Sequence, residues 1–197
     1  MSRGVLILLV VVVAGALYAM SVQRTAVGKD ESVIEKWANV EAAYQRRADL
    51  IPNLQSIVKG AADFESSTLN DVIEARSKAT QVNIDASKLT EESMAQFQVA
   101  QGEFSSALSR LLVTVERYPE LKATQAFRDF QSQLEGTENR INKSRTDFNE
   151  SVRGYNSYVR AFPASFFAGI FGFDRRPSFK ADPGSENAPD VSFDFNS

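Results

Sequence analysis

The chain has 197 residues, 43% of them apolar and 24% charged, and its formal net charge is −3. It contains neither cysteine nor histidine. This excludes disulfides, zinc–thiolate sites, thiol nucleophiles, and any triad or metal site that needs an imidazole. Because 25 Asp and Glu outnumber 22 Lys and Arg, no basic field favours nucleic acid as a partner. The length suits one globular domain with an appendage.

The chain begins with an uncharged apolar run over residues 4–22. At about 1.5 Å per residue the run gives a helix of roughly 28 Å, close to the roughly 30 Å hydrocarbon core of a bilayer. A cleaved signal peptide is the alternative, because Arg3 supplies a positive start and residues 14–16 are small. The run continues beyond Ala16, which favours an uncleaved, single-pass membrane anchor over residues 1–24.

Two patterns disagree on the orientation of this anchor. Counting only Lys and Arg places the domain that follows the anchor in the cytoplasm, because Arg24, Lys29 and Lys36 on that side outnumber Arg3 on the other. The short basic start before one apolar run is instead typical of a signal-anchor that exports the domain attached to it. We expect the extracytoplasmic placement, with the cytoplasmic one as the alternative.

Residues 25–162 are predicted to form a bundle of long helices. A helix beginning near Thr90 and ending near Arg117 has apolar residues in alternating steps of three and four. The next helix begins near Pro119, and so short a connection predicts an antiparallel pair. Its stripe is Phe127, Phe130, Leu134, Thr137, Ile141, Ser144, Phe148, Ser151, Tyr155, Tyr158 and Phe162.

The helix before these two is longer and less regular. We place its apolar stripe from Ile34 to Val72, with a kink at Pro52 because proline cannot donate to the carbonyl of Ala48. Gly60 is a second weak point, residues 28–30 are a plausible break after the anchor, and residues 82–89 form a loop. The predicted fold class is therefore all-α: an N-terminal transmembrane helix followed by an elongated antiparallel bundle of three to four long helices.

From Pro163 onwards the composition changes to phenylalanine, glycine and proline. We treat residues 163–180 as a segment that packs on the bundle or on the membrane. Its rings either fold back to cap the bundle or insert into the membrane interface or a partner's groove. The candidate residues are Phe162, Phe166, Phe167, Ile170, Phe171 and Phe173. Residues 181–197 are polar and acidic, which predicts a disordered tail.

Several stretches of the sequence resemble the LemA family of bacterial membrane proteins. One departure is visible, at residues 55–56 and 61–62, and we expect the similarity to cover residues 1 to about 181. The stretches that carry it are Arg46-Arg-Ala-Asp-Leu-Ile-Pro-Asn-Leu54, Val58-Lys-Gly60, Tyr118-Pro-Glu-Leu-Lys122, Leu134-Glu-Gly-Thr-Glu-Asn-Arg-Ile141, Asn149-Glu150, Tyr155-Asn156, Phe162-Pro163 and Gly169-Ile-Phe-Gly-Phe173.

The resemblance implies a bacterial cytoplasmic-membrane protein with one N-terminal membrane helix and an elongated helical bundle. It implies no established catalytic activity. One branch of the family is associated with the formation of bacterial membrane compartments. Genes of the family often lie near those of membrane proteases or TPM-domain proteins, which suggests such proteins as partners.

Two polar faces are candidates for assembly. Arg46, Asp49 and Asn53 share a face on the first soluble helix, where Arg46 and Asp49 can pair. Glu135, Asn139 and Asn142 lie opposite the apolar stripe of the last helix. We predict that these faces form a contact surface, between helices or between subunits. The alternatives are a solvated face and a buried network that locks the kinked helix.

An enzymatic function is poorly supported. Carboxylate pairs such as Glu91–Glu92 and Glu135–Glu138 are ordinary on helix surfaces. Asp49 with Glu138 could hold a divalent ion only together with further converging oxygens, which the sequence does not place. We predict no catalytic residue, cofactor or metal. The favoured function is a self-associating scaffold that organises or shapes the bacterial envelope membrane, with the lipid bilayer and other copies as partners. The alternative is an adaptor for a membrane protease, a TPM-domain protein or another envelope component.

Overall fold

The computed structural model describes residues 2–60, 64 and 66–180, so the predicted disordered tail at 181–197 lies outside the described residues. Over these residues the protein is helical and has no strand, which confirms the all-α class. The helices are α1 (Arg3–Asp49), α2 (Ile51–Lys59), α3 (Ser66–Gln81), α4 (Glu91–Val115), α5 (Pro119–Lys122), α6 (Gln125–Arg160) and α7 (Ala164–Phe171), with a 3₁₀ turn at Ala86–Lys88.

Helix α1 is a single helix of 47 residues that runs from the apolar segment into the bundle. The break expected at residues 28–30 is wrong, because the helix continues through Gly28. The interruption expected at Pro52 is present. Helix α1 ends at Asp49, and Pro52 lies in the first turn of α2, where its missing N–H costs no hydrogen bond.

The carbonyl of Ala48 is the acceptor to which Pro52 cannot donate. Arg76 of α3 supplies the missing donor, with its Nε 2.8 Å from the Ala48 oxygen. The apolar stripe predicted to run on to Val72 is therefore divided among three helices, α1, α2 and α3. Helix α2 ends at Lys59 with Gly60 as its C-cap, and α3 returns alongside α1 and α2.

The second pair of helices is antiparallel, as predicted. Helix α4 begins after Thr90, whose hydroxyl accepts from the Ser93 N–H at 3.1 Å in a reciprocal capping box. Pro119 starts only the short α5, and α6 begins after Thr124, which caps it by accepting from the Phe127 N–H.

The buried stripe of α6 agrees with the prediction as far as Phe148 and then shifts. Tyr155 is buried as predicted, but the buried residues on either side of it are Val152 and Val159 instead of Ser151, Tyr158 and Phe162. A straight helix has 3.6 residues per turn, so a strict heptad stripe drifts around it and an occasional extra step of four restores contact with the core. The prediction that Phe162 belongs to this stripe is wrong.

The core consists of two clusters along the bundle. The membrane-proximal cluster contains Ala26, Val33, Trp37, Val40, Ala43, Tyr44, Ile84, Leu89, Met94, Phe97, Ile141, Phe148, Val152, Tyr155, Val159, Ala168 and Phe179. The membrane-distal cluster contains Ala48, Leu50, Ile51, Leu54, Val58, Leu69, Val72, Ala75, Ala79, Phe104, Ala107, Leu108, Leu111, Val115, Leu121, Phe127, Phe130 and Leu134. They meet where α1 passes from Tyr44 to Ala48.

Candidate membrane and assembly sites

The apolar start of α1 stands clear of the bundle. Side chains from Val5 to Val13 are 45–63% exposed, and burial against other helices begins only at Val22. Among the described residues, α1 and α2 taken together as one continuous stretch form the one helix long and apolar enough to cross a membrane. In a soluble protein an apolar helix is buried in the core, whereas only 6% of this apolar segment is buried. The chain thus has one exposed N-terminal helix with the length and composition of a membrane span.

Helix α7 folds back against the membrane end of the bundle. It packs on α1 and α6 through two small residues, Ala164 and Ala168, which are 4% and 1% exposed. Phe167 contacts the ring of Tyr18 edge-on, with centroids 5.6 Å apart. Because Tyr18 belongs to the apolar run of the anchor, α7 lies at the level where α1 emerges from that run.

The rest of α7 and its flanks present bare apolar side chains. Phe162 is 87% exposed, Phe166 65%, Ile170 64% and Phe171 39%. Phe173 instead packs against the membrane-proximal cluster. Of the six predicted residues, Phe167 and Phe173 contact the rest of the protein. The other four form an exposed apolar face, and α7 itself contains no charged residue.

A buried arginine separates the two core clusters. Arg47 is 1% exposed and lies between Tyr44 and Phe104, whose ring centroids are 5.1 and 4.9 Å from its guanidinium carbon. Its Nη1 donates to Ser105 Oγ at 2.6 Å and to Glu138 Oε1 at 2.9 Å. Its Nη2 donates to Gln101 Oε1 at 2.8 Å. One side chain of α1 thereby ties α4 to α6.

The six residues predicted as an assembly face are all exposed: Arg46, Asp49, Asn53, Glu135, Asn139 and Asn142. Asp49 accepts from Gln45 Nε2 at 2.7 Å, and no ion pair joins it to Arg46 in the described structure. Likewise, no hydrogen bond among the described residues joins the α1 set to the α6 set. The alternative of a buried network made by these residues is wrong. The network exists, but the neighbouring Arg47 forms it.

Residues 173–180, which we call the strap, return along the bundle in an extended form. Asn156 of α6 accepts from the Arg176 N–H at 2.9 Å and donates to the Arg176 carbonyl at 2.8 Å. Asn149 accepts from the Phe179 N–H at 2.9 Å and donates to its carbonyl at 3.3 Å. Each asparagine thus binds the strap backbone as a neighbouring strand would.

Two side chains of the strap, those of Arg176 and Phe179, also bind the bundle. The Arg176 guanidinium donates to both carboxylate oxygens of Asp30 at 2.7 Å, and to the Ser87 carbonyl at 2.7 Å. Hydrogen bonding to Asp30 raises the pKa of Arg176. Phe179 is 6% exposed and stacks on Trp37 with centroids 5.9 Å apart. The sequence does not predict this docking, because no local pattern marks an extended segment that binds distant side chains.

Burial raises the pKa of the Glu41 carboxyl and of the Tyr155 hydroxyl above their ordinary values. No group of three or more Asp or Glu converges among the described residues. Glu138, considered as a metal ligand, accepts from Arg47 instead.

The sequence pattern of the LemA family matches residues 36–193. It reaches past residue 181, where we expected the similarity to end, and it begins after the anchor instead of at residue 1.

Three curated relatives are similar over most of this chain. The magnetosome protein MamQ 2 of Paramagnetospirillum magneticum is 26% identical, over 82% of this chain and 66% of the relative. MamQ of Magnetospirillum gryphiswaldense is 27% identical over 79% of this chain and 64% of the relative. Protein LemA of Metamycoplasma hominis is 23% identical over 79% of this chain and 68% of the relative. The chain spans just under two thirds of the length of the MamQ proteins.

Proposed function

The chain belongs to the LemA family, and from this premise we propose that it is a membrane-anchored, non-catalytic scaffold that self-associates to organise or shape the bacterial envelope membrane. The anchor crosses the cytoplasmic membrane once, uncleaved, with the bundle on the extracytoplasmic side. Neither the family description nor the names of the three relatives states an enzymatic activity. Two of those names place the relatives at the magnetosome, which supports a role in organising a membrane.

The observation that carries the proposal is the position of the bare apolar face of α7 beside the anchor. Burying apolar surface yields about 25 cal/mol per Å², so side chains as exposed as Phe162 and Phe166 gain free energy by entering the interface region of the bilayer. Contact between Phe167 and Tyr18 holds them at the level of the anchor. The protein then binds lipid through a transmembrane helix and through a second helix lying in the interface.

The continuity of α1 makes this attachment stiff. A helix of 47 residues is about 70 Å long at about 1.5 Å per residue, and it carries both the anchor and one wall of the bundle. The bundle therefore projects from the membrane at an angle set by α1 and α7 together. A stiff rod with two points of lipid contact imposes its own geometry on the bilayer when many copies assemble, and the polar faces around Arg46 and Asn139 are available for such assembly.

A lipid-contact measurement tests the membrane part of the proposal. The chain has no native cysteine, so Phe166→Cys and Ile170→Cys each accept one nitroxide label. Val113→Cys is the matched control, because Val113 is 71% exposed and lies at the far end of the bundle. In liposomes we expect labels at 166 and 170 to be accessible to oxygen and shielded from a water-soluble nickel chelate, and the label at 113 to behave oppositely. Labels at all three positions that are equally accessible to the chelate would contradict the proposal.

A further inference from the structure

The strap occupies a groove that has the features of a peptide-binding site. Asn149 and Asn156 are seven residues apart on α6, which spans about 10.5 Å at about 1.5 Å per residue. Arg176 and Phe179, which they bind, are three residues apart on the strap, about 10 Å at about 3.3 Å per residue. The two spacings match, so each asparagine amide meets one residue of the strap and pairs with both its N–H and its carbonyl.

Two side-chain subsites make the groove selective. Asp30 of α1 holds a guanidinium by a two-point, charge-assisted contact, the geometry that arginine provides and lysine does not. Three residues further along, Trp37 and Phe148 enclose an aromatic ring, with centroids 5.9 and 5.5 Å from that of Phe179. The groove thus recognises an extended segment with arginine and phenylalanine three residues apart.

None of these contacts depends on the strap belonging to the same chain. Gly172, which joins α7 to the strap, has a φ of +75°. Glycine adopts such values without strain and also adopts their mirror images, so a change at this one residue redirects the strap. The one sequence known to fit the groove is the strap itself, which identifies a second copy of this chain as the occupant from outside.

Membrane anchoring favours such an exchange. In every copy the apolar run of α1 fixes the distance of Asp30 from the bilayer. Asp30 lies eight residues beyond Val22, about 12 Å along the helix. Neighbouring copies in one bilayer therefore hold their grooves and straps at the same height. Confinement to that plane raises the effective concentration of one copy's strap at another copy's groove.

We propose that the groove formed by Asp30, Trp37, Phe148, Asn149 and Asn156 receives the strap of a second copy, and that reciprocal exchange of residues 173–180 is the contact through which copies pair within the assembly. This inference rests on the self-association in the proposed function and names its surface. Exchange of an identical segment preserves every contact of the closed form, so it costs little in enthalpy.

Cross-linking between two single-cysteine chains tests the exchange. Gln98 Nε2 lies 3.2 Å from the Lys180 carbonyl, so Gln98→Cys on one tagged chain and Lys180→Cys on a differently tagged chain meet only if the strap crosses between copies. After co-expression and mild oxidation in the membrane, we expect a mixed disulfide dimer as the main cross-linked product. Val113→Cys paired with Lys180→Cys is the matched control and should give none.

A charge reversal provides an independent test that does not rely on cysteine geometry. Asp30→Arg and Arg176→Asp each create a like-charge pair within their own chain. When the two variants are co-expressed, exchange restores opposite charges in both grooves of a mixed pair and in neither groove of a like pair, so we expect mixed assemblies to exceed the half that random pairing gives. Random pairing, or no pairing, would overturn the exchange.

The mass of the same samples separates this inference from the proposed function. Homo-oligomers that form without a mixed cross-link show that self-association uses another surface, and the exchange is then wrong while the scaffold stands. A monomeric mass would show that both the strap exchange and the scaffold function are wrong. If both cysteines placed in one chain join only within that chain while oligomers persist, the strap stays in its own groove and the exchange is again wrong.

Discussion

The two halves of the bundle are built differently. The membrane-distal cluster is mostly aliphatic and is built chiefly from helices, α2, α3 and α5 among them. The membrane-proximal cluster is rich in aromatic rings and includes Phe179 from the strap and Ala168 from α7. Arg47 and its partners lie between them. The distal half is thus held by ordinary helix packing, whereas the proximal half is completed by two segments that come after the last long helix.

This difference locates the candidate lipid-contact and strap-exchange sites in one half. The exposed face of α7, the strap groove and the exit of the anchor all lie on the proximal side of Arg47. The distal half contributes length and stiffness. Variants that act on one half and spare the other test this division.

The largest effect is expected at the strap. Phe179→Ala removes a buried ring from the aromatic cluster, and such losses cost about 3 kcal/mol of unfolding free energy or more. In hydrogen exchange we expect residues 26–44 of α1 and 148–159 of α6 to lose protection, while α2 and α3 keep theirs. Phe166→Ala, at an exposed ring, is the control and should leave protection within the bundle unchanged. Equal loss of protection in both halves would show that the two clusters are one cooperative unit.

Arg47→Ala is expected to act on both halves. It removes the cation that joins α1, α4 and α6 and leaves the side-chain oxygen of Gln101 without its donor. Breaking a buried ion pair costs about 3–5 kcal/mol, and the exposed side of Glu138, whose side chain is 41% accessible, lowers this to about 2–3 kcal/mol because water can hydrate it. Thermal unfolding followed by circular dichroism measures the loss. Arg46→Ala, one residue away and exposed, should change the unfolding free energy by less than about 0.5 kcal/mol.

The polar faces are expected to affect assembly and leave the fold intact. Replacing Arg46 and Asp49 together with alanine should lower the particle mass in mild detergent without reducing helicity, because both side chains are exposed. Light scattering and circular dichroism on the same sample measure the two quantities. An unchanged mass would show that this face is simply solvated.

The smallest effect is expected from Glu41. Burial raises the pKa of its carboxyl in the folded state, so ionisation destabilises the fold. Stability is greatest below the unfolded-state pKa and falls as the pH rises through the folded-state pKa. Glu41→Gln should therefore raise the melting temperature at pH 7 and have no effect near pH 4. An equal gain at both pH values would point to packing instead of charge.

The sequence predicts those features that local chemistry determines. Thr90 as a helix start, the interruption at Pro52 and the buried stripe from Phe127 to Phe148 follow from capping, a missing N–H and periodicity. The same periodicity could have predicted that Arg47 is buried, because Arg47 continues the three-four spacing of Trp37, Val40, Tyr44, Ile51 and Leu54. The prediction favours the exposed Arg46 instead, since a charged residue is not expected in a core.

Other features depend on contacts between distant residues. The return of α3 depends on Arg76 reaching Ala48, and the strap depends on asparagines that precede it by 20 and 30 residues. Asn149 and Asn156 belong to stretches that carry the family resemblance, and their seven-residue spacing places them on one helix face. Their role becomes visible only once an extended segment lies against them, and no propensity of that segment predicts where it docks.

Assembly of many membrane-anchored bundles is best tested by the mass of the intact protein in mild detergent. Light scattering should be combined with identification of every co-purifying chain. We expect a homogeneous homo-oligomer of many copies. A monomer or dimer that carries a second protein in fixed stoichiometry would show that the scaffold is wrong, and that protein would then define an adaptor function.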